Sequence, residues 1–557
     1  MKPLYPLLLV LITGVNFQSC KDAYSSKTIQ AIAPEKAPFV WENANLYFLL
    51  TDRFNNGDTT NDLNFNRDKE TAVLRGFKGG DFAGIIQKIE EGYFTSLGIN
   101  ALWFSPIVEQ IHGATNEGTG NTYGFHGYWT KDWTAIEPNF GTEAAFKKLV
   151  NAAHNKGIRI VMDVVLNHTG PVTDVDPVWP VNWVRTEPTC TYDSYKHTTA
   201  CALVNNLPDI LTESDIEVNI PNFLLEKWTK EGRLKEERAS LNTFFARTGY
   251  PRTPEAYIVK WLTDYVQDFG IDGFRVDTVK HASEGAWDML YTEASFAFSA
   301  WKIAHPQLVL DQNPFYMVGE VYNYGISGGR NYDFGDKKVD YYAHGFHSLI
   351  NFELKYDADK PYAETFKKYD SLLQGPFKGK SVLNYLTSHD DGQPYDKERK
   401  KGYRAANILF LTPGGSQVYY GDESNRNLNI AGTQGDATLR SFMNWEDLKQ
   451  PETKDLLAHW QKLGSFKRDH IAVGAGKHQV LLMTPYIFSR QYNEKNITDA
   501  VVVVLDAELG SKQILVGDIF REGTLVRDAY SGIKATVRNQ QVNIDSPYGV
   551  VLLEIAQ

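Results

Sequence analysis

Cysteine is scarce in this chain. Three residues in 557 carry a thiol, with no Cys-x-x-Cys pair and no Cys/His cluster, which excludes the structural zinc modules built on such pairs. Basic charge is also short: 57 Lys and Arg face 68 Asp and Glu, for a net charge of -11. No basic stripe is present to meet phosphates, so nucleic acid is not an expected partner. A membrane-length apolar run is missing too. "PLYPLLLVLITGVNF", which follows Lys2, is too short and too poorly flanked to span a bilayer. It reads as an export signal over residues 1–19. Internal repeats and low-complexity tracts are absent as well.

The cysteines that are there carry information. Cys20 closes the string "QSC" at the end of the signal, where a bacterial lipoprotein carries its lipid, although Phe17 and Gln18 fit the usual signature poorly. Two readings stand: a lipid anchor through Cys20, or a cleaved signal without lipid. Either places the chain outside the cytoplasm, in the periplasm or as an outer-membrane or cell-surface lipoprotein. Residues 20–38 then form a tether. Cys190 and Cys201 lie close together in a Pro/Thr/Tyr-rich stretch. In an exported protein they are a candidate disulfide closing a small loop; two unrelated thiols is the alternative.

The length exceeds one ordinary core, so two or three structural units are expected. Aromatics make up 13%, which suits either a large core or a sugar-stacking cleft. Eight short apolar runs recur: "ANLYFLLTDRF", "INALWFSP", "IRIVMDVVLNH", "IDGFRVDT", "PFYMVGEV", "HSLINFEL", "SVLNYLTSHD" and "SQVYYGDE". Amphipathic segments such as "GTEAAFKKLVNAAHNKG" and "EAYIVKWLTDYVQDFG" separate them, each ending in Gly. Eightfold strand–helix alternation predicts an α/β fold, a (β/α)8 TIM barrel, over 39–168 and 251–467. After "DVVLNH" about 80 residues rich in Pro and Asn hold the Cys pair with no good helix, so 169–250 is expected to be a small domain inserted after strand 3. From 468 to 557 β-branched alternation replaces helical periodicity and predicts a C-terminal antiparallel β-sandwich domain.

Polar residues gather where the apolar runs end, which in a parallel barrel is the active-site mouth. Residues two apart in a strand share a face. Arg275 and Asp277 therefore point one way and Phe274 and Val276 the other. Asp163, on the third strand, is placed to meet Arg275 across the interior. An arginine beside Asp277 favours its ionised form, as a nucleophile needs. Glu320, walled by Tyr and Val, is expected to hold a proton and act as a donor. An ionised and a protonated carboxyl across a cleft is the logic of glycoside hydrolysis. Asp390, beside His389, is a third carboxylate.

Four strings, "DVVLNH", "GFRVDTVKH", "GEV" and "LTSHD", resemble in order the motifs of the α-amylase family of glycoside hydrolases (family 13), on strands three, four, five and seven. "GYW" at 127–129 and "LPD" at 207–209 resemble two accessory motifs, and the likeness spans residues 44–557. Longer strings, such as "GYPRTPEAYIVKWLTDYVQDFGIDGFRVDTVKH" and "VYYGDES", are most similar to the periplasmic α-amylases of Gram-negative bacteria. The resemblance implies a retaining, endo-acting enzyme on α-1,4 bonds of starch and maltodextrins, with an α-glucan as partner and a monomeric state. It gives Asp277 as nucleophile, Glu320 as acid and base, and Asp390 as transition-state stabiliser. It puts Arg275, His168 and His389 in the same subsite, with Tyr128 under the sugar and His126 nearby. Lys280 and His281 fall on the leaving-group side, although Lys280 also reads as a solvated surface charge.

It also implies calcium, an oxygen-seeking ion. One set is Asn167, Asp209 and the carbonyl of His281. A second is "NNGDTTNDLN" with "GGD": Asn56, Asp58, Asn61, Asp62, the Gly79 carbonyl and Asp81. The stretch reads otherwise as Asx turns. Within the class, a cyclomaltodextrinase, a transglycosylase or an α-1,6-cleaving enzyme is the alternative, and "LPDI" favours the amylase. A glycan-binding lipoprotein that has lost catalysis is the alternative outside it, but such a protein has little reason to keep all three carboxylates.

Overall fold

The computed structural model describes residues 38–116, 118–494 and 496–556. The export signal and Cys20 lie outside the described residues. Eight parallel strands close into a barrel: β1 (Asn45–Leu49), β2 (Ala101–Phe104), β3 (Arg159–Val164), β4 (Gly273–Val276), β5 (Tyr316–Gly319), β6 (Ser348–Asn351), β7 (Ser381–Asn384) and β8 (Gly415–Tyr419). Each pairs with its neighbours in chain order, and β8 closes on β1. All eight predicted runs became these strands. Every residue of the eight is buried, as a sheet covered on both faces requires.

Local chemistry sets the helices that position them. Thr253 caps helix Pro254–Phe269 through the Ala256 N–H, with Pro254 at its first position. Gly270 ends it in the left-handed region at φ 76°. A Cβ there would sit 2.2 Å from the Trp301 ring, so glycine lets the β4 approach pack against the next helix.

The inserted segment departs from expectation. It contains a short ladder, Val184–Arg185 with Asp209–Ile210, and the Cys190–Cys201 disulfide. Besides the one-turn helix Lys196–Thr199 it holds two longer ones, Asn222–Lys230 and Leu234–Thr248, where a helix-free stretch was predicted. Each buries one stripe, Leu224 and Trp228 on the first, Leu241, Phe244 and Phe245 on the second. The prolines, all but Pro221, belong to the first half of the insertion.

Helix Pro451–Asp469 is followed by a short helix, Ile471–Ala475, and from Lys477 the chain turns antiparallel, into a six-stranded sheet and a two-stranded ribbon. Strand Ile497–Leu505 is buried on both faces over 501–505. Val502 and Val504 share a core with Ile514, Val542 and Ile544 of the ribbon. Val501 and Val503 join the core of the barrel. Among the described residues no helix is long and apolar enough to cross a membrane.

Candidate active site

The parallel ladder continues one residue past the strand ends. Asp277 donates its N–H to the Val164 carbonyl at 3.0 Å, and Glu320 donates to Val276 at 2.9 Å. Both carboxylates thus stand on backbone fixed by the barrel. Thr278 then takes φ 48°, a strained value for a β-branched residue. Its N–H points to Glu320 Oε2 at 3.3 Å.

Arg275, 1% exposed, is the hub. Its Nη1 donates to Asp163 Oδ1 at 2.9 Å and to Asp277 Oδ1 at 2.7 Å. Its Nη2 lies 2.9 Å from Glu320 Oε2. Asp163 and Arg275 are register partners on adjacent strands, not groups meeting across the interior. Asp163 also accepts from Tyr128 Oη at 2.6 Å and Trp103 Nε1 at 2.9 Å.

The electrostatics separate the three carboxyls. Burial pushes Glu320 up to about 7, against the pull of Arg275 and with help from Asp277 and Asp390. Burial also lifts Asp277 above the ordinary carboxylate value, more than Arg275 lowers it. Arginine proximity alone had predicted the opposite direction; the depth of the site reverses it. Asp390 goes the other way. Burial is outweighed by His389, whose Nε2 is 2.7 Å from Oδ2, and by Arg440, whose Nη2 is 2.5 Å from Oδ1, so it is held well below the usual range. Its side chain is 39% exposed, open to the cleft.

Three buried histidines are neutral hydrogen-bonding groups. His126 Nδ1 accepts the Tyr128 N–H at 3.1 Å, and burial holds its pKa well below the ordinary value. His168 Nε2 donates to the Tyr128 carbonyl at 3.1 Å and is pushed down to about 4 by burial. His281 Nδ1 donates to the Thr198 carbonyl at 3.0 Å and is pushed down to about 3. Tyr128 stacks on His389 with centroids 5.1 Å apart. Lys280 is 9% exposed and ringed by Tyr192, Tyr322 and Tyr332, so it is not a solvated charge.

The residues of the first calcium set are neighbours, while the second set comes together in part, with the Asn56 amide donating to Asp62 Oδ1 at 2.9 Å. The Asn167 side-chain amide lies between the His281 carbonyl, at 2.9 Å, and Asp209 Oδ1, at 3.3 Å, and with its nitrogen facing them it donates to both. A hard cation fits the same three groups with the amide turned over, its oxygen toward the ion. Arg185 Nε pairs with the other Asp209 oxygen at 2.7 Å. In the second cluster the Asn61 side-chain oxygen is buried and unpaired. A Cβ on Gly79 would fall within 2.4 Å of both Asn56 and Asp62, so the cradle needs glycine. Asp81 Oδ2 meets the Asn61 amide at 3.4 Å, while its oxygens accept N–H groups of Gly57, Asp58 and Gly84. The Asp58 side chain turns to Thr60 instead.

The family model described as "Alpha amylase, catalytic domain" matches residues 48–471. The chain belongs to the α-amylase family. It is 37% identical over 527 residues to the periplasmic alpha-amylase of Escherichia coli (strain K12), a match covering 84% of this chain and 72% of that protein. It is 27% identical over 490 residues to a cyclomaltodextrin glucanotransferase of Geobacillus stearothermophilus, covering 85% of this chain and 60% of the relative. An Anoxybacillus alpha-amylase structure superposes with TM-score 0.63 at 21% identity, covering 93% of this chain and 99% of the other. This last match concerns the fold.

An α-amylase-family barrel thus presents two residues that sequence reasoning missed. Arg440 ends the short 3-10 helix Gly435–Arg440 after β8, too brief to show a period, yet it donates to Asp390 and, through Nε at 3.2 Å, to the His389 carbonyl. Trp103, at the interior position of β2, supports Asp163 and lies 5.1 Å from the Arg275 guanidinium carbon. The alternation in "ALWF" was the available signal.

Proposed function

We propose that this glycosidase is an exported, endo-acting α-amylase that cleaves α-1,4 bonds of starch and maltodextrins with retention. The observation that carries the reading is the division of labour around Arg275: one guanidinium touches Asp277 and Glu320, and Glu320 is lifted to about 7. Asp277 attacks the anomeric carbon while Glu320 gives its proton to the departing oxygen. Glu320 then takes a proton from water as that water opens the glycosyl ester. Asp390, held ionised, accepts sugar hydroxyls and steadies the oxocarbenium-like charge. His168 and His389 supply fixed hydrogen-bonding groups, and Tyr128 supplies a ring face. His126, which accepts from the Tyr128 backbone, orients that ring.

Asn167, Asp209 and the His281 carbonyl would hold one calcium ion. Asn56, Asn61, Asp62, Asp81 and the Gly79 carbonyl would hold a second, with Asp58 at its edge. The first ion would brace the loops that follow β3 and β4 at the cleft. The inserted unit is taken as 169–250 and the C-terminal unit as 468–557. Export is supported by the name of the E. coli relative, which is periplasmic, and an anchor at Cys20 extends that reading.

Time-resolved product analysis on soluble starch and maltoheptaose tests the function. Early mid-length oligosaccharides of α-configuration are expected. Cyclic products or chains longer than the substrate would move the assignment to a transferase. An Asp277→Asn protein with near-normal activity would refute the mechanism.

A further inference from the structure

The inserted segment reaches the Glu320 side of the site through Tyr192, whose ring meets Lys280, and Lys280 in turn donates to the Tyr322 carbonyl two residues past Glu320. A general acid protonates the leaving oxygen, so the leaving fragment departs on that side. Lys280 Nζ lies there, 3.3 Å from both the Tyr322 carbonyl and Tyr332 Oη. Three tyrosine rings surround it with centroids 5.6–5.8 Å from the ammonium. Tyr192 and Tyr322 remain 50% and 44% exposed, so each keeps an open face. Tyr192 sits inside the disulfide-closed loop at φ 61°, unusual for an aromatic residue. Its hydroxyl donates to the Leu203 carbonyl at 3.0 Å, which fixes the ring direction.

The same loop is fastened at its far side. The Tyr195 N–H donates to Asp336 Oδ1 at 2.7 Å, and its hydroxyl donates to Glu284 Oε2 at 2.6 Å. Lys337 Nζ lies 3.7 Å above the Tyr195 ring and 2.7 Å from Glu284 Oε1. Asp336 and Lys337 belong to the tip of the hairpin formed by Tyr332–Asp333 and Lys338–Val339. Phe334 carries the contact from Tyr195 to Tyr332, at 5.2 and 4.9 Å between centroids. A continuous chain of contacts therefore runs from the lysine beside the acid to the clasp.

We propose that this clasped loop is the end wall of the leaving-group side. Tyr192 and Tyr322 stack on the departing α-glucan fragment around Lys280. The fastening of Tyr195 to Asp336, Lys337 and Glu284 fixes the wall and so sets how many glucose units that fragment carries. The assignment rests on the glycosidase reading above.

The test uses reducing-end-labelled maltoheptaose, scored by which bond breaks, beside an aryl α-maltotrioside whose leaving group is a single ring. Tyr192→Ala should lower efficiency on maltoheptaose relative to the aryl substrate by about fivefold, the loss of one aromatic face, and shift the preferred bond. Asp336→Ala/Lys337→Ala, which alters only surface groups of the clasp, should shift the same bond preference while the aryl rate stays within about twofold of wild type. If Tyr192→Ala fails to fold, the surface pair carries the test. Bond frequencies identical to wild type in the folded variants overturn the proposal. Failure of the unmodified protein on both substrates would instead remove the glycosidase reading.

Discussion

Arg275 Nη2 stands 2.9 Å from Glu320 Oε2, yet Glu320 is the carboxyl that is lifted to about 7. Only Nη1 makes directed hydrogen bonds, to Asp163 and Asp277, so the guanidinium serves two carboxylates well and the third by proximity. Lysine supplies the charge but not the fork. Arg275→Lys should therefore lower kcat on the order of 10²-fold, as loss of a preorganised electrostatic partner does, and move the acidic limb of the pH profile upward as Asp277 loses support. A variant with wild-type kcat and an unmoved acidic limb would contradict this.

The lifted Glu320 predicts an alkaline limit. The acid must hold its proton, so kcat/KM should fall as pH rises through about 7. Glu320→Gln should cost about 10²–10⁴-fold on maltoheptaose and remove that limb. The loss should be far smaller on an aryl maltoside, whose leaving group needs no proton. Equal losses on both substrates would place the proton donor elsewhere.

These effects differ in how far they could be read from residue order. "GFRVDTVKH" shows its chemistry because a strand has period two, so Arg275 and Asp277 share a face by covalent geometry alone. The sign of the Asp277 shift depends on burial depth, which no local string encodes, and it came out reversed. Lys280 was open between grip and solvent because its cage comes from residues 192, 322 and 332, which only the tertiary fold unites. Arg440 ends a six-residue 3-10 helix, Gly435–Arg440, too short for periodicity to carry a signal. The helices of 222–248 were hidden for a different reason: their apolar stripes are narrow, and the Pro-rich stretch before them dominated the reading.

Calcium makes a thermal prediction. The Asn167 amide lies within 3.3 Å of Asp209 and of the His281 carbonyl, and Asn61 keeps a buried, unpaired oxygen. A chelator should lower the melting temperature and calcium restore it, since a ligand at 100 times its Kd stabilises by about 2.7 kcal/mol. Asp209→Asn should remove part of the response and Asp62→Ala another part. An unchanged melting curve on chelation would remove both sites.

His470 predicts a second pH dependence, remote from catalysis. It follows the last barrel helix, and its two ring nitrogens lie 2.9 Å from Asp499 Oδ1 and 2.7 Å from Glu554 Oε2, both on the C-terminal sheet. Burial alone would lower its pKa; the two carboxylates outweigh it and raise the imidazole to about 9. Because the folded value lies above the unfolded one near 6.5, the stabilisation is full below that pH and is lost as pH rises through about 9. The shift corresponds to about 3 kcal/mol. His470→Gln should therefore lower the melting temperature clearly at pH 6 and little at pH 10, with wild type and variant converging as alkalinity removes the imidazolium. A deficit of the same size at both pH values would mean that the ring acts by packing, not by its charge.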